Sequence, residues 1–162
     1  MNIELNLCLR CNAKCPSCDR HVNYFPDRTD DMTLDQLTAF IDEAAVKKNV
    51  GRVKCVGGEP LCWPFFIPGY NMLVDALEAG KIGGLSINTN CVAKPPDGLK
   101  PCKRVRWQFS RLARKRHIPN CWAPVDLNVP WKPCSHPRRC GISLDNRGYL
   151  PCSPAISIVR LF

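Results

Sequence analysis

CLRCNAKCPSC, residues 8–18, places four cysteines within eleven positions, closer together than most disulfide or core roles require. What precedes the segment decides how it is presented. Residues 3–7, IELNL, alternate apolar and polar side chains and predict a short strand, so the cysteines fall on the loop at its C-terminal end. A second strand is predicted at residues 52–56, RVKCV, ended by Gly57 and Gly58, where a backbone without Cβ turns freely. A third follows at residues 85–89, LSINT.

Two helices separate these strands. TLDQLTAFIDEAAVKKN, residues 33–49, carries Leu34, Leu37, Phe40, Ile41 and Ala44 at helical spacing, and Thr33 with Gln36 forms a capping box at its start. The second helix has Pro68 near its beginning, Tyr70, Leu73, Val74 and Leu77 on one face, and Gly80 beyond its end. Strand, helix, strand, helix, strand is the order of a parallel sheet with right-handed crossovers.

After residue 94 regular structure thins, for ten of the fifteen prolines lie there. RVRWQFS, residues 104–110, still predicts a fourth strand, with Arg104, Arg106, Gln108 and Ser110 on one face and Val105, Trp107 and Phe109 on the other. A fifth strand is read at residues 123–127. The chain of 162 residues suits one domain with a real core plus a small appendage. The division is drawn between residues 1–130 and a cysteine-bearing segment at 131–162.

A start that has neither a basic leader nor a cleavage site is read as that of a soluble cytoplasmic protein, and twelve cysteines is a high number for a compartment whose thiols stay reduced. Metal ligation is then their better use. A secreted disulfide scaffold is opposed by the missing signal and by the length. No run of 18 apolar residues suggests a membrane span. Lys+Arg 23 against Asp+Glu 14 gives +9, an excess that attracts phosphates, carboxylates or nucleic acid. Thiolate-held clusters would lower it.

Four thiolates first invite zinc, with Cys8 and Cys11 as one pair and Cys15 and Cys18 as the other. Zinc ribbons, however, separate their pairs by far more than the three residues found here. A ferredoxin run is also near, since Pro16 follows Cys15, but one cysteine is missing. The remaining division is Cys11-x3-Cys15-x2-Cys18, three ligands for a four-iron cube with one iron open.

This spacing after a first strand resembles the cluster loop of the radical S-adenosylmethionine (radical SAM) superfamily. Gly57-Gly58-Glu59-Pro60, ending the second strand, is similar to that family's GGEP motif, and Ser86-Ile87-Asn88-Thr89-Asn90 to its third strand. The resemblance implies a partial (β/α) barrel of α/β class, a [4Fe-4S] cluster on Cys11, Cys15 and Cys18, and S-adenosylmethionine on the open iron. It also implies that Gly57, Gly58, Glu59 and Pro60 hold the cofactor's amine, with glycine allowing close approach and Glu59 and nearby carbonyls accepting from the ammonium. Asn88 and Gln108, with Arg106, would face the cofactor; an exposed polar face is an equally good reading of Arg106 and Gln108. Ser17 stands where the family commonly has an aromatic residue, so packing for the adenine is sought from Tyr24 or Phe25. No later glycine-rich motif for the adenine is evident. The resemblance is good over residues 3–90 and weak from there to about 130.

Residues 133–152, PCSHPRRCGISLDNRGYLPC, resemble the auxiliary-cluster segments called SPASM or Twitch. That likeness implies a second iron-sulfur cluster on Cys134, Cys140 and Cys152, with Cys121 or Cys102 as a fourth ligand or with none. Asn146-Arg147-Gly148 would be the turn of a hairpin whose arms are ISL and YLP. A structural zinc hairpin or buried thiols are the plainer alternatives. Cys55, Cys62 and Cys91, and Cys8 with them, are read as small buried hydrophobes. His21, His117 and His136 have no ligand spacing, and SRLARKRH, residues 110–117, reads foremost as a solvated basic face.

The function implied is reductive cleavage of S-adenosylmethionine to a 5'-deoxyadenosyl radical that takes hydrogen from a substrate. A flavodoxin or ferredoxin would donate the electron. Six βα units need roughly 180 residues, so the barrel is partial, and its open side suits a peptide or protein substrate. A glycyl-radical activating enzyme is a second reading within the class. From another class, the rival is a non-catalytic zinc or iron-sulfur protein that binds nucleic acid through its basic face.

Overall fold

Alternating side chains in short segments build a sheet with one apolar and one polar face. The computed structural model describes residues 1–15, 18, 20, 22, 30–109 and 142–150. The strands are β1 (Asn2–Asn6), β2 (Arg52–Val56), β3 (Leu85–Thr89), β4 (Val105–Phe109), β5 (Ile142–Asp145) and β6 (Gly148–Leu150), and the helices α1 (Leu34–Lys47) and α2 (Phe66–Glu78). The strand and helix order read from the sequence holds through β4. The fifth strand expected at 123–127, the basic run 110–117 and the three histidines lie outside the described residues.

The sheet order is β4-β3-β2-β1-β5-β6. The pairs β1–β2, β2–β3, β3–β4 and β1–β5 are parallel, and β5–β6 is an antiparallel hairpin. Ile3, Leu5, Val53, Cys55, Leu85 and Ile87 form one core with Leu37, Phe40, Ile41 and Ala44 of α1 and Phe66, Tyr70, Leu73, Val74 and Leu77 of α2. Trp107 extends this core, its ring 6.1 Å from Tyr70 and 6.5 Å from Phe66. Both helices therefore cover the same face, and β1 to β4 follow one another in space as in sequence. That is the winding of a (β/α) barrel rather than of a sheet covered on both sides. The fold is a mixed α/β arrangement compatible with the expected partial barrel.

Local chemistry explains the element ends. Thr33 accepts from the Gln36 N–H while the Gln36 side chain accepts from the Thr33 N–H, completing the capping box, and Lys48 closes α1 in the left-handed conformation at φ 52°. The connection from β3 to β4 has no helix. It is held on α2 instead by the Lys100 N–H to Asn71 Oδ1 at 2.8 Å and by the Lys100 ammonium between Asp75 and Glu78.

The hairpin expected around Asn146 is present. Gly148 has φ +127°, and Asp145 Oδ1 accepts from the Arg147 N–H at 2.8 Å. Its placement was not foreseen, because β5 pairs with β1 and so continues the main sheet beyond its first strand. The Tyr149 hydroxyl donates to Glu43 at 2.7 Å and Gln36 Nε2 to the Asn146 carbonyl at 2.9 Å, fastening the hairpin to α1.

Replacing Thr33 with Ala removes one half of the capping box. We expect a loss of about 1 kcal/mol, seen as a fall in Tm of roughly 2–4 °C in a thermal melt followed by circular dichroism.

Candidate functional site

At the end of β2 the backbone turns directly onto the cysteine loop. The Gly58 N–H donates to the Cys8 carbonyl at 2.9 Å and the Glu59 N–H to the Arg10 carbonyl at 2.8 Å, continuing the Leu7 to Val56 contact of the sheet. Gly57 has φ +150°, and a Cβ there would lie 2.5 Å from the Cys8 carbonyl oxygen. On Gly58 it would lie 2.3 Å from that of Arg10. Both glycines are required because two stretches of backbone touch. The sequence assigned them a close approach to the ligand; the close approach observed is to the cysteine loop itself.

Glu59 is 1% exposed. Its Oε1 accepts from the Leu61 N–H at 3.2 Å, capping a short 3-10 helix at Pro60–Cys62, and its Oε2 accepts from the Asn90 N–H at 2.6 Å. The carboxylate expected to receive an ammonium is thus already a brace between the ends of β2 and β3. Asn90, not singled out by the sequence as a site residue, turns back over the cysteine loop. Its Nδ2 donates to Asn12 Oδ1 at 2.8 Å and to Cys11 Sγ at 3.7 Å, while its Oδ1 accepts from the Val92 N–H at 2.9 Å.

Two further clasps hold the loop. Arg10 pairs with Asp31 at 2.8 Å, just before α1. Arg20, two residues past Cys18, pairs with Glu4 at 3.5 Å and donates to Asn6 at 3.3 Å. Trp63 braces the same corner from behind, its Nε1 donating to the Met32 carbonyl at 2.8 Å.

The sulfurs sit in unlike surroundings. Cys8 is buried and its Sγ faces the carbonyls of Glu59 at 3.4 Å and Arg10 at 3.7 Å. Burial, helped by the nearby Asp31 charge, pushes its pKa far up, so it is a protonated donor, in keeping with its reading as a buried thiol. Cys11 Sγ instead receives N–H groups, from Ala13 at 3.4 Å and from Asn90. Burial raises its pKa and the Ala13 N–H opposes the rise.

Cys11 and Cys18 pack together against Leu9 and Val22, and Cys15 is half-buried. Among the described residues no three His, Cys, Asp or Glu side chains converge to hold a single metal ion. Cys55 is buried, its pKa pushed up to about 12 by burial, and Cys62 is half-buried. Cys91 corrects the sequence reading: it is exposed, with φ 63°, at the turn leaving β3.

The sheet face away from the helices is polar from strand to strand. Ser143, Glu4, Lys54, Ser86 and Arg106 form one row in direct register. Glu4, 4% exposed, lies between Lys54 at 2.8 Å and Arg20. One step toward the strands' C-terminal ends, Asn88 and Gln108 are register partners. The Ser86 hydroxyl and Asn88 Oδ1 are buried without a hydrogen-bond partner among the described residues. Tyr24, Phe25, Cys121, Cys134, Cys140 and Cys152 lie outside the described residues.

These features define a parallel α/β protein whose functional loops gather at the C-terminal ends of its strands. The family model of the radical SAM superfamily matches residues 5–119, a span that takes in the end of β1, the cysteine loop, the glycine turn and β2 to β4. The chain belongs to the radical SAM superfamily. Compared with the curated proteins, it matches none. Among the described residues no helix is long and apolar enough to cross a membrane.

Gly58→Ala forces a methyl group into the Leu9 and Arg10 carbonyls. Overpacking of this kind costs roughly 1–3 kcal/mol, so we expect a Tm lower by about 3–10 °C and a reconstituted protein holding less iron than the parent, measured by melting and by colorimetric iron assay.

Proposed function

We propose that this chain is a radical SAM enzyme in which Cys11, Cys15 and Cys18 hold the [4Fe-4S] cluster and the Gly57 to Pro60 turn holds the amine of S-adenosylmethionine. One observation supports the reading: backbone hydrogen bonds join the glycine turn to Cys8 and Arg10, so that the proposed cofactor cradle lies directly against the start of the loop that bears the three cysteines. The donor set fits the group. Three thiols are half-buried, and the sulfur of Cys11 is approached by N–H donors, which oppose the effect of burial on its thiolate. When bound, the cluster and S-adenosylmethionine supply an electron and a 5'-deoxyadenosyl radical that abstracts hydrogen.

The chain's own residues then position and exclude water. With Glu59 engaged on the Leu61 and Asn90 N–H groups, the amine falls to carbonyls of the turn, whose place Glu59 fixes. Asn88 and Gln108, paired in register beside the buried Ser86 hydroxyl, supply polar contacts to the cofactor. The polar row through Glu4, Lys54 and Arg106 forms the wall against which a substrate lies. A peptide is the substrate we favour, since the open side of a short barrel admits one. Cys134, Cys140 and Cys152, with Cys121, would hold a second cluster in a segment spanning 131–162, appended to a core of 1–130. A flavodoxin or ferredoxin would deliver electrons in a reducing cytoplasm.

Anaerobic reconstitution tests this. We expect about four irons per chain, or about eight with the second cluster, an electron paramagnetic resonance signal altered by S-adenosylmethionine, and release of 5'-deoxyadenosine under a strong reductant. Changing Cys11, Cys15 and Cys18 together to Ala should abolish that release. A spectrum indifferent to the cofactor, with no 5'-deoxyadenosine formed, would favour a non-catalytic metal protein.

A further inference from the structure

Asn90, on the turn leaving β3, reaches the sulfur of Cys11, and the way it is held suggests a purpose beyond closing the turn. Three of its polar groups are engaged. Its main-chain N–H is anchored on Glu59 Oε2 at 2.6 Å and its Oδ1 on the Val92 N–H at 2.9 Å, which leaves the amide nitrogen to reach Asn12 Oδ1 and Cys11 Sγ. Because the oxygen is fixed by an N–H donor, the amide orientation is fixed as well: the NH2 group must face the sulfur.

Resting on the cluster assignment above, we propose that Asn90 is a positioning residue that donates an N–H···S hydrogen bond to the cluster ligand Cys11 and thereby sets the cluster's reduction potential, with Glu59 as the brace that holds it there. The physical basis is simple. Reduction adds negative charge to the cluster and its thiolates, and a donor aimed at a ligand sulfur stabilises the more negative state. Removing that donor makes the cluster harder to reduce.

The test follows, by redox titration, the paramagnetic signal that S-adenosylmethionine alters in the reconstituted full-length chain. Asn90→Leu removes the donor without adding charge, and Asn90→Asp keeps the acceptor for Val92 while losing the donor. Both should lower the midpoint potential enough to shift the reduced-to-oxidised ratio at fixed poise about tenfold, equal to about 59 mV for one electron. Asn12→Ala, which leaves the Cys11 contact in place, should move it by less than a third of that. In the parent protein, selective nitrogen-15 labelling of asparagine should give a hyperfine coupling to the reduced cluster in pulsed spectra. An unchanged potential in Asn90→Leu overturns the proposal. So does the absence of that coupling in the parent, which needs no variant and decides the matter if the variants lose iron. If the parent itself shows no signal altered by S-adenosylmethionine, the cluster assignment fails first, and the two failures are thereby told apart.

Discussion

The contact on which the rest of the molecule depends is backbone against backbone: Gly57 and Gly58 lie on the carbonyls of Cys8, Leu9 and Arg10 with no room for a Cβ. Two loops that leave neighbouring parallel strands are fused by it into a single structure, and each further clasp adds to that unit. Glu59 carries the fusion across to β3, Arg10 to the approach of α1, and Arg20 to the floor of β1. Among the described residues the loop is tied at Cys8, Arg10 and Arg20, restraint of the kind that positioning a cofactor calls for.

The same sheet explains why the site lies on one side. Most of its apolar alternate residues are covered by α1 and α2, and opposite them runs a polar row, buried at Ser143, Glu4 and Ser86 and exposed at Arg106. Taking Glu4 out of water is costly unless it is paired, and here Lys54 and Arg20 flank it. Arg20 therefore has two duties, neutralising a buried carboxylate and pinning the cysteine loop beside it. The Ser86 hydroxyl and Asn88 Oδ1, buried and unpartnered among the described residues, are polar groups of the kind a bound ligand satisfies.

Much of this was legible beforehand, for reasons that differ from residue to residue. The capping box at Thr33 and Gln36 and the alternation in RVKCV and LSINT are local, so the sequence states them directly. Trp107 was placed on the apolar face by the same period of two. Glu59 was recognised by motif, but its partners within the protein were not, since nothing in a linear reading shows that the Leu61 and Asn90 N–H groups converge on its oxygens. Asn90 was noted as the last residue of the motif on the third strand and given no role of its own. Cys91, read as buried, is exposed because the chain turns outward at a positive φ.

By itself the sequence determined the order of strands and helices through β4, the faces they present, and the presence of a three-cysteine loop and a glycine turn at successive strand ends, because periodicity and short spacings are properties of neighbouring residues. Only the tertiary structure decided that β5 adds to β1, that Cys8 faces carbonyls while Cys11 faces N–H donors, and that Glu59 and Asn90 tie both loops together. Those outcomes depend on groups brought close from distant positions, and the angle at which two backbones meet is not written in either of them alone.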